Sequence, residues 1–326
     1  MPSFITGITG FAGGYLARHL LEKGAEVVGI GLSGAPGHAP CDIAGARVID
    51  CDILDFDRLS ALIKDFRPAF VYHLAGRVNP AESLKHPREY YLVNVQGIVN
   101  LLESLRQARL ELRVLFVSSS EVYAAVGANE LIDESASLSP ENPYAWSKWL
   151  AEQVCRQYSQ DFGARVVVAR PFNHSGPGQS RDFVISDFCR AVAQWERESI
   201  GGRKASPITV GNLSPVRDFL DVRDVVRAYA GLAEQGAAGE VYNVCSGIGT
   251  SIADLLKIVL EQSGLSPDNL TTSAEKYRPI KNQRVVGANQ KLCALLQWQP
   301  RYTLAQTIAG TLDHWRSHIK EVGPAP

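Results

Sequence analysis

Phe4-Ile5-Thr6-Gly7-Ile8-Thr9-Gly10-Phe11-Ala12-Gly13-Gly14 decides the fold. An apolar, β-branched start runs into a turn with glycine at every third position. A helical pattern follows, Tyr15-Leu16-Ala17-Arg18-His19-Leu20-Leu21-Glu22-Lys23. Such glycines let the backbone turn tightly and approach a pyrophosphate, whose charge is favoured at a helix N-terminus. The spacing is Gly-x-x-Gly-x-x-Gly rather than the commoner Gly-x-Gly-x-x-Gly, and an ordinary tight strand–helix turn is the bland alternative. Its place at the head of an alternating β/α chain favours the dinucleotide reading.

Working outward, Gly24 closes the first helix, and strands are expected at 25–30, 46–50, 69–76, 112–117 and 166–170. Alternation of this kind predicts an α/β chain with a Rossmann-like, doubly wound parallel sheet and its site at the strands' carboxyl ends. The end of the second strand, Gly31-Leu32-Ser33-Gly34, carries neither the acid that holds ribose hydroxyls nor an arginine for an extra phosphate. The choice between NADPH and NADH is therefore not readable here; either is expected, and a small uncharged pocket, which at least does not repel the phosphate, tilts the expectation slightly to NADPH. Asp52 admits two roles, a cap for the helix near Asp55 or an acceptor for an adenine amino group. Gly7, Gly10, Phe11, Ala12, Gly13, Ser33, Asp52, Ile53, Leu74, Ala75, Gly76, Asn94 and Pro171 are the residues expected along the dinucleotide. Mid-strand His73 reads as a satisfied core histidine. Asn94, on a helix expected from about Arg88 to Ala108, is placed to brace the backbone near the site.

The chemistry centres on Ser118-Ser119-Ser120-Glu121-Val122-Tyr123, at the end of the fifth strand, and Tyr144-Ala145-Trp146-Ser147-Lys148. Asn142-Pro143 supplies a cap and first-turn proline for the second segment. A tyrosine and lysine four apart lie on one helical face, about 40° apart. An ammonium beside a phenol favours the phenolate, so such a tyrosine can exchange a proton near neutrality despite an ordinary pKa of about 10. A strand-end serine facing it can hydrogen-bond a carbonyl or carbinol oxygen. Tyr-x-x-x-Lys alone occurs by chance in many helices. Trp146 and Trp149 project to the opposite side of the helix and suggest a second buried surface, either against other parts of this chain or, as the preferred reading, in a homodimer contact through the helices around 88–108 and 143–162.

Composition bounds what such a site serves. A chain of 326 residues with net charge −1 and 45% hydrophobic content suffices for one large or two moderate domains. Near-neutral charge gives no footing to nucleic acid or an anionic membrane as partner. No apolar run approaches the roughly 20 residues of a membrane span, and the first residues run into a strand pattern without a basic leader. Six cysteines (Cys41, Cys51, Cys155, Cys189, Cys245 and Cys293) are scattered without a Cys-x-x-Cys pair. Neither a disulfide framework nor a metal site is expected, and a cytoplasmic location is.

Beyond Arg170 the alternation loosens. The chain is expected to divide into a dinucleotide domain at 1–171, with returns near 214–245, and a substrate domain at 172–326. Pro171-Phe172-Asn173-His174-Ser175-Gly176-Pro177-Gly178-Gln179 reads as a rigid polar loop at the cleft mouth, with Asn173 and Gln179 as amide donors. Arg217 and Arg278 suit a phosphorylated substrate through bidentate contacts, whereas Arg223 reads as a surface ion pair.

With the glycine turn, Ser119, Tyr144 and Lys148 in this order, the chain resembles the extended short-chain dehydrogenase/reductases acting on nucleotide sugars, over essentially its whole length. Arg170–Gln179, Val216-Arg217-Asp218-Phe219-Leu220-Asp221-Val222-Arg223-Asp224 and Val241-Tyr242-Asn243-Val244-Cys245-Ser246-Gly247 resemble the corresponding motifs of GDP-6-deoxy-4-keto-D-mannose reductases. The resemblance implies reduction of GDP-4-dehydro-6-deoxy-D-mannose to GDP-D-rhamnose. It implies Tyr144 as proton donor, Lys148 as the group that lowers the tyrosine pKa and holds the ribose, and Ser119 as oxygen binder, with Ser120 the neighbouring alternative. Ser120, Glu121, Asn173, Gln179, Val184, Arg217 and Arg278 would meet the GDP-deoxyhexulose. Two departures matter. Ala124 follows Tyr123 where the family usually has glycine, so the loop from Ala124 to Leu138 is expected to differ locally. Glu121 stands where related dehydratases carry the base that removes the C5 proton, which keeps a GDP-mannose 4,6-dehydratase as the competing reading, although the chain is shorter than typical dehydratases. A C4 epimerase and a non-enzymatic dinucleotide-binding protein are further alternatives, the last disfavoured by the intact Ser, Tyr and Lys. The product epimer, rhamnose or 6-deoxytalose type, is not written in spacing.

Overall fold

The computed structural model describes residues 2–32, 43–127, 130–200, 205–273 and 282–319. Its first half alternates β1 (Ser3–Thr6), α1 (Phe11–Glu22), β2 (Val27–Gly31), β3 (Arg47–Asp50), α2 (Phe56–Phe66), β4 (Phe70–His73), α3 (Pro80–Lys85), α4 (Pro87–Tyr91), α5 (Gly97–Gln107), β5 (Arg113–Val117), α6 (Pro143–Phe162) and β6 (Arg165–Pro171). The second half holds β7 (Asn173–Ser175), α7 (Val184–Glu198), β8 (Ile208–Val210), β9 (Val216–Asp221), α8 (Val222–Gln235), β10 (Val241–Val244), β11 (Gly249–Ser251), α9 (Ile252–Ser263), β12 (Leu270–Thr272), β13 (Arg284–Val285), α10 (Gln290–Leu296) and α11 (Leu304–His318).

Seven strands form one sheet in the order β10-β6-β5-β4-β1-β2-β3. Every pairing in it is parallel. The chain is thus an α/β, Rossmann-like protein. Strand order reverses between β1 and β4, the crevice where ligands bind in such sheets. Strands buried on both faces explain the near-continuous apolar runs. One face packs Ile5, Leu16, Leu20 and Tyr72 against Val225, Val226 and Tyr229 of α8. The other packs Phe4, Val71 and Phe116 against Leu59, Ile98, Leu101 and Ala151. A second core gathers Ile185, Phe188 and Val192 of α7, Leu255 and Val259 of α9, and Ile308 and Leu312 of α11.

The expected return near 214–245 is made by α8 and β10. β9 instead joins a small sheet, paired with β7, β11 and β13. Leu292 and Trp298 also pack into the first core, so the chain comes back to the large sheet a second time. No helix among the described residues is long and apolar enough to cross a membrane. No group of three or more metal-ligating side chains occurs among them.

Candidate active site

The glycine turn has the shape its sequence implies. Gly7 adopts φ +75°, and a Cβ there would lie 2.7 Å from the Ala75 nitrogen, so β1 and the end of β4 touch backbone to backbone. A Cβ on Gly13 would sit 2.1 Å from the Gly7 oxygen. Gly10 caps α1 without offering a side-chain acceptor, which leaves first-turn N–H groups, those of Phe11 and Ala12 included, for an incoming anion. A turn too tight for any side chain at Gly7 or Gly13, opening onto a helix N-terminus, suits a dinucleotide pyrophosphate.

The neighbouring wall is built by Asn94. The expected helix from Arg88 to Ala108 is α4 and α5 joined through a π-helical turn, Leu92–Gln96, with buried Asn94 inside it. That irregular turn aims the amide at the β4 exit. Asn94 Oδ1 accepts from the Arg77 N–H at 2.8 Å, and Nδ2 donates to the Arg77 carbonyl at 3.0 Å and to Ser147 Oγ at 2.8 Å. A Cβ on Gly76 would meet Asn94 Oδ1 at 2.8 Å and Lys148 Nζ at 3.5 Å. Leu74, Ala75 and Gly76 therefore form the small-residue strand end expected beside a cofactor. Pro171 closes β6, paired with Val244.

Asp52 accepts from the Leu54 N–H at 2.9 Å, whereas Asp55 caps α2 through the Arg58 N–H. The cap role considered for Asp52 thus belongs to Asp55, and the exposed Asp52 carboxylate stays available at the β3 exit. Ile53 is buried, its carbonyl held by Asn100 Nδ2 at 3.0 Å. His73 is buried with Nδ1 on Thr6 Oγ1 at 2.8 Å, while its Nε2 has no partner. Burial pushes its pKa down to about 3, so it stays neutral, though only half satisfied. Ser33 and Arg278 lie outside the described residues.

Asn142 caps α6 by accepting from the Ala145 N–H at 2.9 Å, with Pro143 in the first turn. This brings Tyr144 against Ser119. The phenol is buried and shares a side-chain hydrogen bond with Ser119; burial raises its pKa, the Ser119 bond lowers it, and Glu121 and Tyr90 raise it. Lys148 Nζ donates to the Val117 carbonyl at 2.9 Å, and burial lowers its own pKa to about 8. Tyr144 is consequently a protonated acid at neutral pH, and Lys148 sits close to its titration point. Ser120 opens a 3-10 turn that Ser119 caps through the Glu121 N–H at 3.2 Å.

Glu121, two residues after Ser119, is exposed to solvent. Burial raises its pKa, and Asn142 and Arg217 oppose that shift. Asn142 Nδ2 reaches Glu121 Oε2 at 3.4 Å. Arg217, half-buried on β9, donates to the Val216 carbonyl at 2.8 Å and faces the Glu121 charge. Asn173 is exposed at the start of β7, its Nδ2 on the Asp218 carbonyl at 3.3 Å. Val184 begins α7. Gln179 departs from expectation. It is 5% exposed, and its amide is consumed within the loop, Oε1 accepting from Ser175 Oγ at 2.6 Å and Nε2 donating to the His174 carbonyl at 2.8 Å. It braces the loop instead of reaching into the cleft.

Sequence reasoning missed several contributors. Tyr90 packs edge-on to Tyr144 with centroids 6.3 Å apart and anchors its hydroxyl on the Asn79 carbonyl at 2.6 Å. His174 stacks on Phe11 at 6.2 Å, and Tyr15 donates to the Pro177 carbonyl at 2.8 Å, tying the 173–179 loop to the glycine-turn helix. Glu152, one turn past Lys148, pairs with Arg170 in the interior. Only Glu152 carried a signal, a carboxylate on the apolar face of α6.

The family model described as GDP-mannose 4,6 dehydratase matches residues 4–311. The chain is 34% identical to the GDP-6-deoxy-D-mannose reductase of Pseudomonas aeruginosa, over 98% of this chain and 98% of that protein. It is 26% identical to the GDP-mannose 4,6-dehydratase of Yersinia enterocolitica, over 97% of this chain and 95% of that one. The solved structure of RMD from Pseudomonas aeruginosa complexed with NADPH has a TM-score of 0.82 at 33% identity, covering 97% of this chain and 99% of that chain.

Proposed function

Since the chain belongs to the GDP-mannose 4,6-dehydratase family, we propose that it reduces the 4-keto group of GDP-4-dehydro-6-deoxy-D-mannose with NADPH or NADH, giving GDP-D-rhamnose. The observation that carries this reading is the buried Ser119–Tyr144 pair, a strand-end hydroxyl hydrogen-bonded to a phenol at the start of α6. A protonated acid beside a hydroxyl donor is what a carbonyl needs when it becomes an alcohol.

Gly7, Gly10, Phe11, Ala12 and Gly13 hold the pyrophosphate at the α1 start. Asp52 and Ile53 border the adenine side, and Leu74, Ala75, Gly76, Asn94 and Pro171 border the nicotinamide side. When bound, the reduced nicotinamide supplies the hydride equivalent for C4. Ser119 Oγ hydrogen-bonds the substrate oxygen and fixes its position. Tyr144 gives its proton to the alkoxide that develops there, so the carbonyl gains one hydride and one proton. Lys148, cationic below about pH 8, stabilises the phenolate left behind and binds ribose hydroxyls. Arg217 engages the diphosphate, with Asn173, Ser120 and Val184 along the same wall.

Glu121 supports a second reading, the 4,6-dehydratase. A burial-raised carboxylate over the sugar can remove a C5 proton. Identity favours the reductase, 34% against 26% over similar coverage. Both readings are compatible with a homodimer. Tyr91, Leu92, Trp146 and Leu150 expose apolar surface on the helices at 87–107 and 143–162, Leu92 at 45% and Trp146 at 41%, surface that a second copy would cover.

The test is a coupled assay. GDP-mannose is converted by a 4,6-dehydratase, and this protein is then added with NADPH or NADH. Stoichiometric cofactor oxidation is expected, with Tyr144→Phe losing about 10²- to 10⁴-fold in kcat. Turnover of GDP-mannose alone, with no reductant consumed, would replace this reading by the dehydratase.

A further inference from the structure

Behind the Ser119–Tyr144 pair lies a buried polar chain that the proposed reaction does not use. Arg170 of β6 donates to Glu152 of α6 twice, Nε to Oε1 at 2.9 Å and Nη2 to Oε2 at 2.6 Å. Both side chains are 5% exposed. Ser118 Oγ donates to Glu152 Oε1. The Arg170 guanidinium stands 4.7 Å over the Tyr123 ring, and the Tyr123 hydroxyl donates to Asn243 Oδ1 of β10 at 2.7 Å. Four elements of the fold thus meet at one carboxylate and its partner.

A buried ion pair is a weak source of stability, because desolvating both charges offsets their attraction and an apolar pair of similar volume often does as well. What an apolar pair cannot do is fix one geometry. Lys148 and Glu152 stand on consecutive turns of α6 and bond to consecutive residues of one strand end, Lys148 Nζ to the Val117 carbonyl at 2.9 Å and Glu152 to Ser118. Two such bonds stop the helix from sliding or rolling over the strand. The helix carries the proton donor Tyr144 and the strand end carries Ser119. β6 holds the same strand from its other side through the Ser118 N–H on the Ala169 carbonyl at 2.8 Å.

We propose that Glu152, held by Arg170, is a positioning residue that clamps α6 to the end of β5 through Ser118 and so sets the Ser119–Tyr144 geometry. This deepens the reductase reading and rests on it for its kinetic consequence. The Glu152 charge also favours the cationic form of Lys148, against burial. A clamp of this kind acts on the reacting arrangement more than on substrate affinity, since misplacement of catalytic groups lowers the rate of a bound complex.

Ser118→Ala cuts the clamp while leaving the Glu152–Arg170 pair intact, and its small change leaves the chain foldable. The full-length protein is assayed in the coupled reduction. The expected result is a kcat about tenfold lower with KM within about twofold, restored toward wild type by Ser118→Thr, which keeps the hydroxyl. An unchanged kcat, or a loss carried by KM alone, overturns the proposal. Should the wild type not reduce the 4-keto sugar, the reaction assignment fails separately. Amide hydrogen exchange of the dinucleotide-free protein then decides: faster exchange across 143–149 in Ser118→Ala upholds the clamp, and identical exchange overturns it.

Discussion

Tyr144 and Lys148 divide the work differently from a simple phenol–ammonium pair. Burial drives both toward their neutral forms, which raises the phenol and lowers the ammonium to about 8. Below that value Lys148 carries its proton; above it the charge is lost, whereas Tyr144 keeps its proton across the same interval. kcat/KM reports the free protein, so it is expected to fall as pH rises through about 8. Measuring it from about pH 6 to 10 with the keto sugar checks this; a flat profile across that interval would remove Lys148 from the rate. The pairing of tyrosine and lysine was legible in sequence, because helical spacing puts them on one face. The direction in which each is shifted was not. It depends on burial and on where Lys148 Nζ finds its acceptor, the Val117 carbonyl, and neither is encoded in local spacing.

Among the elements, the helix from Pro87 to Gln107 shows how a local irregularity serves a site. A π-turn inserts one extra residue into the hydrogen-bond ladder, a feature that concentrates at functional positions. Here it turns Asn94 onto the β4 exit, where one amide holds Arg77 from both sides and Ser147 as well. Asn94→Ala leaves those groups unpaired at about 1–3 kcal/mol each. A lower midpoint in denaturant titration and a several-fold rise in the dissociation constant for NADPH are expected. Unchanged NADPH binding would reduce Asn94 to a structural brace. This helix was legible from its periodicity, and Asn94 from its polarity in an apolar stretch. The π-turn itself was hidden, since it arises when tertiary contacts outweigh an ordinary ladder. Gln179 shows the opposite failure: a polar residue in a glycine-rich loop at the cleft mouth suggested a ligand, yet burial put its amide to work inside the loop.

At the scale of the whole molecule, the parallel order and the position of the crevice followed from strand–helix alternation, because right-handed crossovers leave few other ways to arrange such a chain. The assignment of β9 to a small separate sheet did not follow, since pairing partners distant in sequence set it. Trp149 illustrates the same limit. The helix projection put it with Trp146 away from Tyr144, toward a second copy or other parts of this chain; it packs within this chain beside Val122, Tyr123 and Phe172, while Trp146 stays 41% exposed. Trp146→Glu together with Leu150→Glu is expected to turn a dimer into a monomer in sedimentation equilibrium, with little change in thermal midpoint; a wild-type chain that sediments as a monomer would refute the contact. The loop after Tyr123 is stitched to a distant part of the chain: Ile132 donates to the Val286 carbonyl at 2.9 Å and accepts from the Ala288 N–H at 2.8 Å, and Asn243 Nδ2 also donates to the Ile132 carbonyl at 2.8 Å. Domains otherwise begin to fold from the N-terminus as they are synthesised. During translation the sheet can assemble early, but this seam closes only after residue 288 has left the ribosome, so the nascent chain carries Ser119, Tyr144 and Lys148 long before the loop after Tyr123 is anchored.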